Sequence, residues 1–284
     1  MLVDAHHHLW RLSRGDYSWL TPDDKVLYRD HEAHEYETLL KHHQIDRSVL
    51  IQAAPSLAET AFLLETADAH AFIGAVVGWV DFECAEAVET LKTLACAPKF
   101  RGVRPMIQSI SDPAWMLNPA FDRVFEALIA HDLSFDALVQ PEHLAHLRTL
   151  SKRHPALRMA INHCGKPQVK CWRSGDADFS AWADNMRALA SNPAVYCKLS
   201  ALPTRAAPHW AAEDFSPYVE MLWESFGAQR LMWASDWPVL HRNGRYDNWL
   251  AVARALVAQG SHAQVFGKNA QAFYRLDDLQ CGNK

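Results

Sequence analysis

The chain opens on three consecutive histidines: DAHHHLW carries His6, His7 and His8 inside a run that reads as a β-strand. Successive strand residues point to opposite faces, so His6 and His8 share one face and His7 takes the other. Two imidazoles side by side suit a metal ion or a developing oxyanion. The plain alternative is a hydrogen-bonded core pair. His163 closes a second apolar run in INHCGKP, where Gly165 and Pro167 stop the strand, and Asp236 closes another in WASDWP. A loop-bonded histidine and a turn aspartate are the competing accounts of these two. An aspartate among imidazoles has the chemistry of a general base acting on water. Arg104 in FRGVRP and Lys198 in YCKLS are candidate cations for a substrate carboxylate or hydroxyl, or members of rim salt bridges. Gln52, Asp81 and Ser200 complete the polar residues at or just beyond run ends. Trp10, Trp115, Trp172 and Trp237 lie on segments that follow such runs, and their flat faces suit a sugar ring, although a tryptophan so placed more often joins the core.

These residues gain meaning from the elements that must position them. Short apolar runs predict strands over Leu2 to His8, Arg47 to Ala53, Phe72 to Val80, Phe100 to Met106, Leu133 to Val139, Leu157 to His163, Ala194 to Ser200 and Leu231 to Asp236. Amphipathic stretches between them predict helices. One starts at a capping box formed by Ser56 and Glu59, another at Asn118 with Pro119 in its first position. Others run from about His31 to His43, from Pro141, from Phe179 to Asn192, from Tyr218 to Phe226, from Trp249 to Gln259 and from Val265 to Tyr274. Strands alternating with helices imply a parallel sheet, and near-continuous apolar strands imply burial on both faces. Eight such units point to an α/β fold, a single-domain (β/α)8 TIM barrel over residues 1–284, distorted from strict regularity. An open doubly wound sheet is the alternative, but no Gly-rich dinucleotide loop supports it. The longer loops at 11–30, 107–117, 165–178 and 201–214 all follow strands, so they fall on the face where barrel active sites are built.

With 49% hydrophobic residues the chain can fill a large core, and a net charge of −5 with no basic stripe argues against nucleic acid as a partner. No apolar run is long enough for a membrane span, and no secretory signal is visible, so a cytoplasmic protein is expected. The six cysteines, at 84, 96, 164, 171, 197 and 281, show no CxxC spacing and read as reduced thiols. Many of the 16 histidines need no functional account: His42, His43, His70, His131 and His154 fall near predicted helix ends, where the dipole favours positive charge.

In order and spacing the motifs resemble the amidohydrolase superfamily, and within it the lactone hydrolases, including L-fuconolactone hydrolases and pyrone-dicarboxylate lactonases. The likeness covers nearly the whole chain: Asp4-x-His6-x-His8, VLIQA with Gln52, RGVRPMIQ with Arg104, FDALV, NHCGKP, YCKLSAL, ASDWPV and FGKNAQAFY. It implies that Asp236 is the general base and that His6, His8 and His163 surround the reacting carbonyl. Two departures stand out. Asn162 replaces the family's usual aspartate before His163, and the fifth strand, Phe135 to Val139, lacks the superfamily's metal-binding histidine. No fourth-strand lysine is present for a bridging carbamate. One divalent ion, zinc, on His6, His8, Asp236 and His163 is therefore the expected upper limit, and catalysis without it is open.

The reaction expected is opening of a neutral sugar lactone, of L-fuconolactone type first. Asp236 takes a proton from water, imidazole N–H groups or zinc stabilise the oxyanion, and His163 protonates the departing ring oxygen. Arg104, Gln52, Lys198, Trp10, Trp115 and Trp237 are the expected substrate contacts. A zinc-dependent decarboxylase or other metal-dependent hydrolase of the same superfamily, and a barrel that binds sugars or acids without turnover, are the alternatives. The sequence gives no oligomeric state.

Overall fold

The structure is a computed structural model and describes residues 1–276. Eight strands pair in parallel and in chain order: β1 (Val3–His7), β2 (Arg47–Ile51), β3 (Ile73–Gly78), β4 (Phe100–Val103), β5 (Ser134–Ala137), β6 (Met159–Ile161), β7 (Val195–Leu199) and β8 (Leu231–Trp233). Each lies within its predicted run and is shorter, because the polar ends leave the ladder to form the rim. Helices α1 (Ala33–His43), α2 (Leu57–Ala69), α3 (Ala87–Ala95), α4 (Asp122–Ala130), α5 (Leu144–Arg153) and α6 (Ala177–Ala190) fill the crossovers up to β7. A short α7 (Leu202–Arg205) and α8 (Ala212–Phe226) follow β7, and α9 (Tyr246–Leu256) and α10 (Asn269–Tyr274) follow β8. The helix before β8 begins earlier than the Tyr218 expected, because Asp214 caps the Ala211 N–H at 2.9 Å and Pro217 is accommodated near its start. Ser56 accepts the Glu59 N–H at 3.0 Å as the capping box requires, but the Glu59 carboxylate turns to the N–H groups of Ala53 and Ala54 at 2.8 and 2.9 Å. It thus anchors the end of β2.

Side chains alternate across the strands. Val49, Ile51, Ala75, Val77, Ala160 and Met232 fill the barrel interior, while Leu50, Val76, Val103 and Leu199 pack outward under the helices. Phe273 and Tyr274 of α10 plug the bottom, held where Arg101 and Arg158 donate to their carbonyls at 3.0 Å.

The seam between β8 and β1 closes beyond the end of β8. Asp236 N–H donates to the His6 carbonyl at 2.9 Å, and His8 N–H donates to the Trp237 carbonyl at 2.8 Å. Asp4 staples this seam from outside: one carboxylate oxygen accepts the N–H groups of Ser235 and His6 at 2.9 and 3.2 Å, and the other accepts the hydroxyls of Tyr36 and Tyr246 at 2.7 and 3.0 Å. The β1 register against β2 shifts between Asp4 and His7. That irregularity lets Asp4 and His7 reach the outer layer while His6 points inward, the re-aiming that bulges supply beside active sites. Five free thiols, Cys84, Cys96, Cys164, Cys171 and Cys197, lie in the described residues, and Cys281 lies outside them. No helix of the described residues is long and apolar enough to cross a membrane.

Candidate active site

Asp236, His6, His8 and His163 meet at the barrel mouth. Asp236 Oδ1 stands 3.5 Å from His8 Nε2 and 3.7 Å from both His6 Nε2 and His163 Nε2, and the two N-terminal imidazoles are 3.1 Å apart at Nε2. His8 Nδ1 donates to the Ile51 carbonyl at 2.8 Å, and His163 Nδ1 is 2.9 Å from the Ser200 hydroxyl. His7 turns outward to Ser48 at 3.0 Å and packs on Tyr36.

Backbone strain concentrates here. Asp236 has φ +60° and Ala201 φ +57°, and the segment His163-Cys164-Gly165-Lys166 holds φ of +56°, +56°, +67° and +53°. Each non-glycine residue in this region costs about 1–2 kcal/mol, and such residues gather at functional sites. The turn is closed where Lys166 N–H donates to the His163 carbonyl at 2.8 Å. A three-residue repeat eclipses its first and fourth side chains, so His163 and Lys166 both face the cavity. Cys164 and Gly165 face the core, against the Lys198 carbonyl and Leu144 respectively.

The cavity measures about 350 Å³. His8, Arg104, His163, Lys166 and Asp236 line its polar side, and Trp19, Met106, Leu138 and Val239 its apolar side, with Gln108, Arg205 and Arg242 also on the wall. Burial would raise the Asp236 carboxyl, but His163, His8 and Lys166 around it prevail and keep it below the usual carboxylate range. Burial holds His6 and His163 neutral far below the ordinary imidazole value, with Lys198 adding to the effect on His6. Burial brings Lys166 down to about 7, against the pull of Asp236 and with help from Arg104, Arg205 and Arg242. Arg104 falls to about 10 through burial, still a cation at neutral pH.

Several expected substrate contacts lie elsewhere. Lys198 is fully buried beneath the site, 2.6 Å from Asp136, because an inward β7 side chain at that level meets the barrel interior rather than the mouth. Gln52 braces Arg104: its amide donates to the Arg104 carbonyl at 2.8 Å, and the guanidinium returns bonds to its carbonyl and amide oxygens. Trp10 is buried against Trp19, with its indole N–H on the Arg29 carbonyl at 2.8 Å. Trp237 is buried between Tyr36 and His31. Trp115 packs on Phe82 and Phe121 outside the mouth and donates to Glu83 at 2.8 Å. The aromatic platform in the cavity is Trp19, which the sequence did not single out. Its indole donates to the Ala53 carbonyl at 2.7 Å, and Arg242 lies over its ring at 5.8 Å. Lys166 also went unassigned, although its spacing from His163 across Gly165 was a readable signal. Asn162 does not orient His163: it donates to Asp136 at 3.0 Å.

The donor set fits one divalent ion. Tetrahedral ligand atoms about 2.0–2.1 Å from zinc lie roughly 3.3–3.4 Å from one another, and Asp236 Oδ1 lies 3.7 Å from Nε2 of both His6 and His163. His6, His163 and Asp236 form the one metal-competent cluster of three or more such groups among the described residues.

The amidohydrolase family profile matches residues 3–276. An L-fucono-1,5-lactonase of Burkholderia ambifaria is 40% identical over 282 residues, covering 97% of this chain and 96% of that protein. One from Burkholderia multivorans is 32% identical over 288 residues, with 97% and 96% covered. A crystal structure of an amidohydrolase from Burkholderia multivorans with zinc bound superposes with a TM-score of 0.90 at 30% identity, covering 97% of this chain and 99% of that one.

Proposed function

The chain belongs to the amidohydrolase family, and from that premise we propose that it is a lactonase that opens a sugar lactone to the sugar acid, with L-fucono-1,5-lactone the first substrate to test. The 40% identity to an L-fucono-1,5-lactonase along nearly the full length carries this reading, and the site has the parts such a reaction needs. Asp236 remains ionised, so it can take the proton of an attacking water, a role that contributes roughly 10²–10⁴ in rate. Negative charge then develops on the carbonyl oxygen in a buried cavity that Arg104 and Lys166 line with donors. Each well-placed donor is worth about 10²–10³. The proton that Asp236 takes from water passes to the departing ring oxygen, relayed by neutral His163, whose Nδ1 is engaged by Ser200 and whose Nε2 faces Asp236. Trp19 supplies a face for the sugar ring.

His6, His163 and Asp236 would hold a zinc ion, with His8 outside that cluster. When bound, the ion supplies Lewis-acid polarisation of the carbonyl and acidifies water.

The test is a panel of sugar 1,4- and 1,5-lactones followed by proton release, with chelated and zinc-supplemented enzyme. Turnover of a 6-deoxy aldonolactone above the others is expected. Failure to hydrolyse any lactone in either metal state overturns the proposal.

A further inference from the structure

Two consecutive peptide units at the end of β2 face the site with one edge and a buried acid with the other. Gln52 N–H makes the last ladder bond, to the Val77 carbonyl at 2.8 Å. Ala53 and Ala54 lie beyond it and are buried, so their N–H groups need another partner. Glu59, fully buried in the first turn of α2, supplies both: one carboxyl oxygen accepts Ala53 N–H at 2.8 Å and the other accepts Ala54 N–H at 2.9 Å. Burial pushes this carboxyl up to about 8, yet an oxygen that carries the proton keeps a lone pair, so both can accept in either state. A peptide unit is planar, and in the trans form, as here, its N–H and carbonyl point to opposite sides. The carbonyl opposite Ala53 N–H is that of Gln52, which takes the Arg104 guanidinium. The carbonyl opposite Ala54 N–H is that of Ala53, which takes the Trp19 indole N–H at 2.7 Å.

We infer that Glu59 is a positioning residue that sets Arg104 and Trp19 at the cavity wall through these two peptides. Arg104, Ala53 and Trp19 line the cavity, and Glu59 stands behind them. The same helix end also holds the approach to Trp19: Ser56 donates to Asp16 at 3.0 Å, and Asp16 accepts Arg14 at 2.7 Å. Each N–H that donates to Glu59 polarises the carbonyl across its peptide, which strengthens that carbonyl as an acceptor. The acid fixes the plane of each peptide, and with it the direction in which a donor for the oxyanion and a face for the sugar ring are presented. The inference rests on the roles proposed above for Arg104 and Trp19 in lactone opening, and adds the group that aims them.

Hydrogen exchange and indole resonances test the positioning without a lactone, so they are read apart from the proposed activity. In the parent protein the Ala53 and Ala54 amides should exchange as slowly as that of Gln52, although they lie outside the ladder. Exchange at the rate of an exposed loop overturns the inference, even where a variant does not fold. Glu59→Met keeps the side-chain length and removes both oxygen acceptors. In a ¹H–¹⁵N spectrum the Trp19 indole signal, assigned by its loss in Trp19→Phe, should shift in Glu59→Met, while those of Trp182 and Trp249, bonded to the Cys164 and Ala234 carbonyls, stay in place. A Trp19 signal that stays with them overturns it. On the best lactone, Glu59→Met should raise KM about fivefold, part of the worth of an aromatic contact, and lower kcat about tenfold, less than the full loss of an oxyanion donor. In the Trp19→Ala background the same substitution should lower kcat alone. A second rise in KM there, or an unchanged kcat in either background, overturns the inference too.

Discussion

Lys166 and His163 enter one cavity from a single left-handed turn, three residues apart and joined through backbone at 2.8 Å. The reaction converts a neutral ring into a carboxylate, and Lys166 places a charge where that anion forms. Its value of about 7 means that the ammonium is present below pH 7 and lost above it. Product inhibition by the sugar acid should therefore weaken as the pH is raised from 6 to 8. Lys166→Met should raise the product inhibition constant about tenfold at pH 6 and flatten its pH dependence, in keeping with the roughly 1.5–3 kcal/mol of a charged hydrogen bond. Inhibition constants measured across that range decide it.

Asp236→Asn keeps the size and the backbone bonds of the side chain but removes the proton acceptor. We expect turnover of the best lactone to fall by about 10²–10⁴, with the circular dichroism spectrum unchanged. Turnover at the parent rate shows that another group activates the water.

Strand order, helix alternation and the convergence of Asp236 with three histidines could be read in advance because each depends on local pattern. Apolar runs of strand length set the ladder, and a polar residue ending such a run falls on the rim of a barrel. What could not be read depends on depth and on loop path. Lys198 ends an apolar run just as His163 does, yet its side chain leaves β7 one level lower and meets Asp136. Trp10 and Trp19 occupy one loop, and nothing in their spacing says which will be buried and which will line the cavity. Asp4 was visible as part of a motif, but its task emerges only when Ser235, from the opposite end of the chain, is seen on its carboxylate.

Trp19 should act on substrate binding rather than on chemistry. Buried Trp10 props its ring edge-on at 5.4 Å, and the loop is tied across the mouth where Arg242 meets Asp24 at 2.7 Å. Trp19→Ala should raise KM about tenfold with kcat within roughly twofold, as expected for loss of an aromatic contact whose burial and stacking are worth about 1–2 kcal/mol. Asp24→Asn should give a smaller rise, because this exposed-side ion pair is worth at most about 1 kcal/mol. Steady-state kinetics of the two variants, compared with the parent, separate these effects.

The buried imidazoles make stability depend on pH with a definite sign. Burial holds His6, His7 and His163 well below the ordinary value, lowers His8, and brings His31 down to about 4. Below pH 6.5 the unfolded chain takes up protons that the folded protein refuses, so stability falls with falling pH and is fully present only above that value. Each such histidine contributes a slope of about 1.4 kcal/mol per pH unit between its unfolded and folded values, and for His31 that window runs from 6.5 down to about 4. Urea unfolding of the metal-stripped protein should show its midpoint dropping steeply from pH 7.5 to pH 5.5. His31→Phe removes one titrating ring whose two nitrogens have no hydrogen-bond partner among the described residues, so its loss on acidification should be shallower than the parent's. Parallel pH profiles for the two proteins rule out His31 as a contributor to the acid sensitivity.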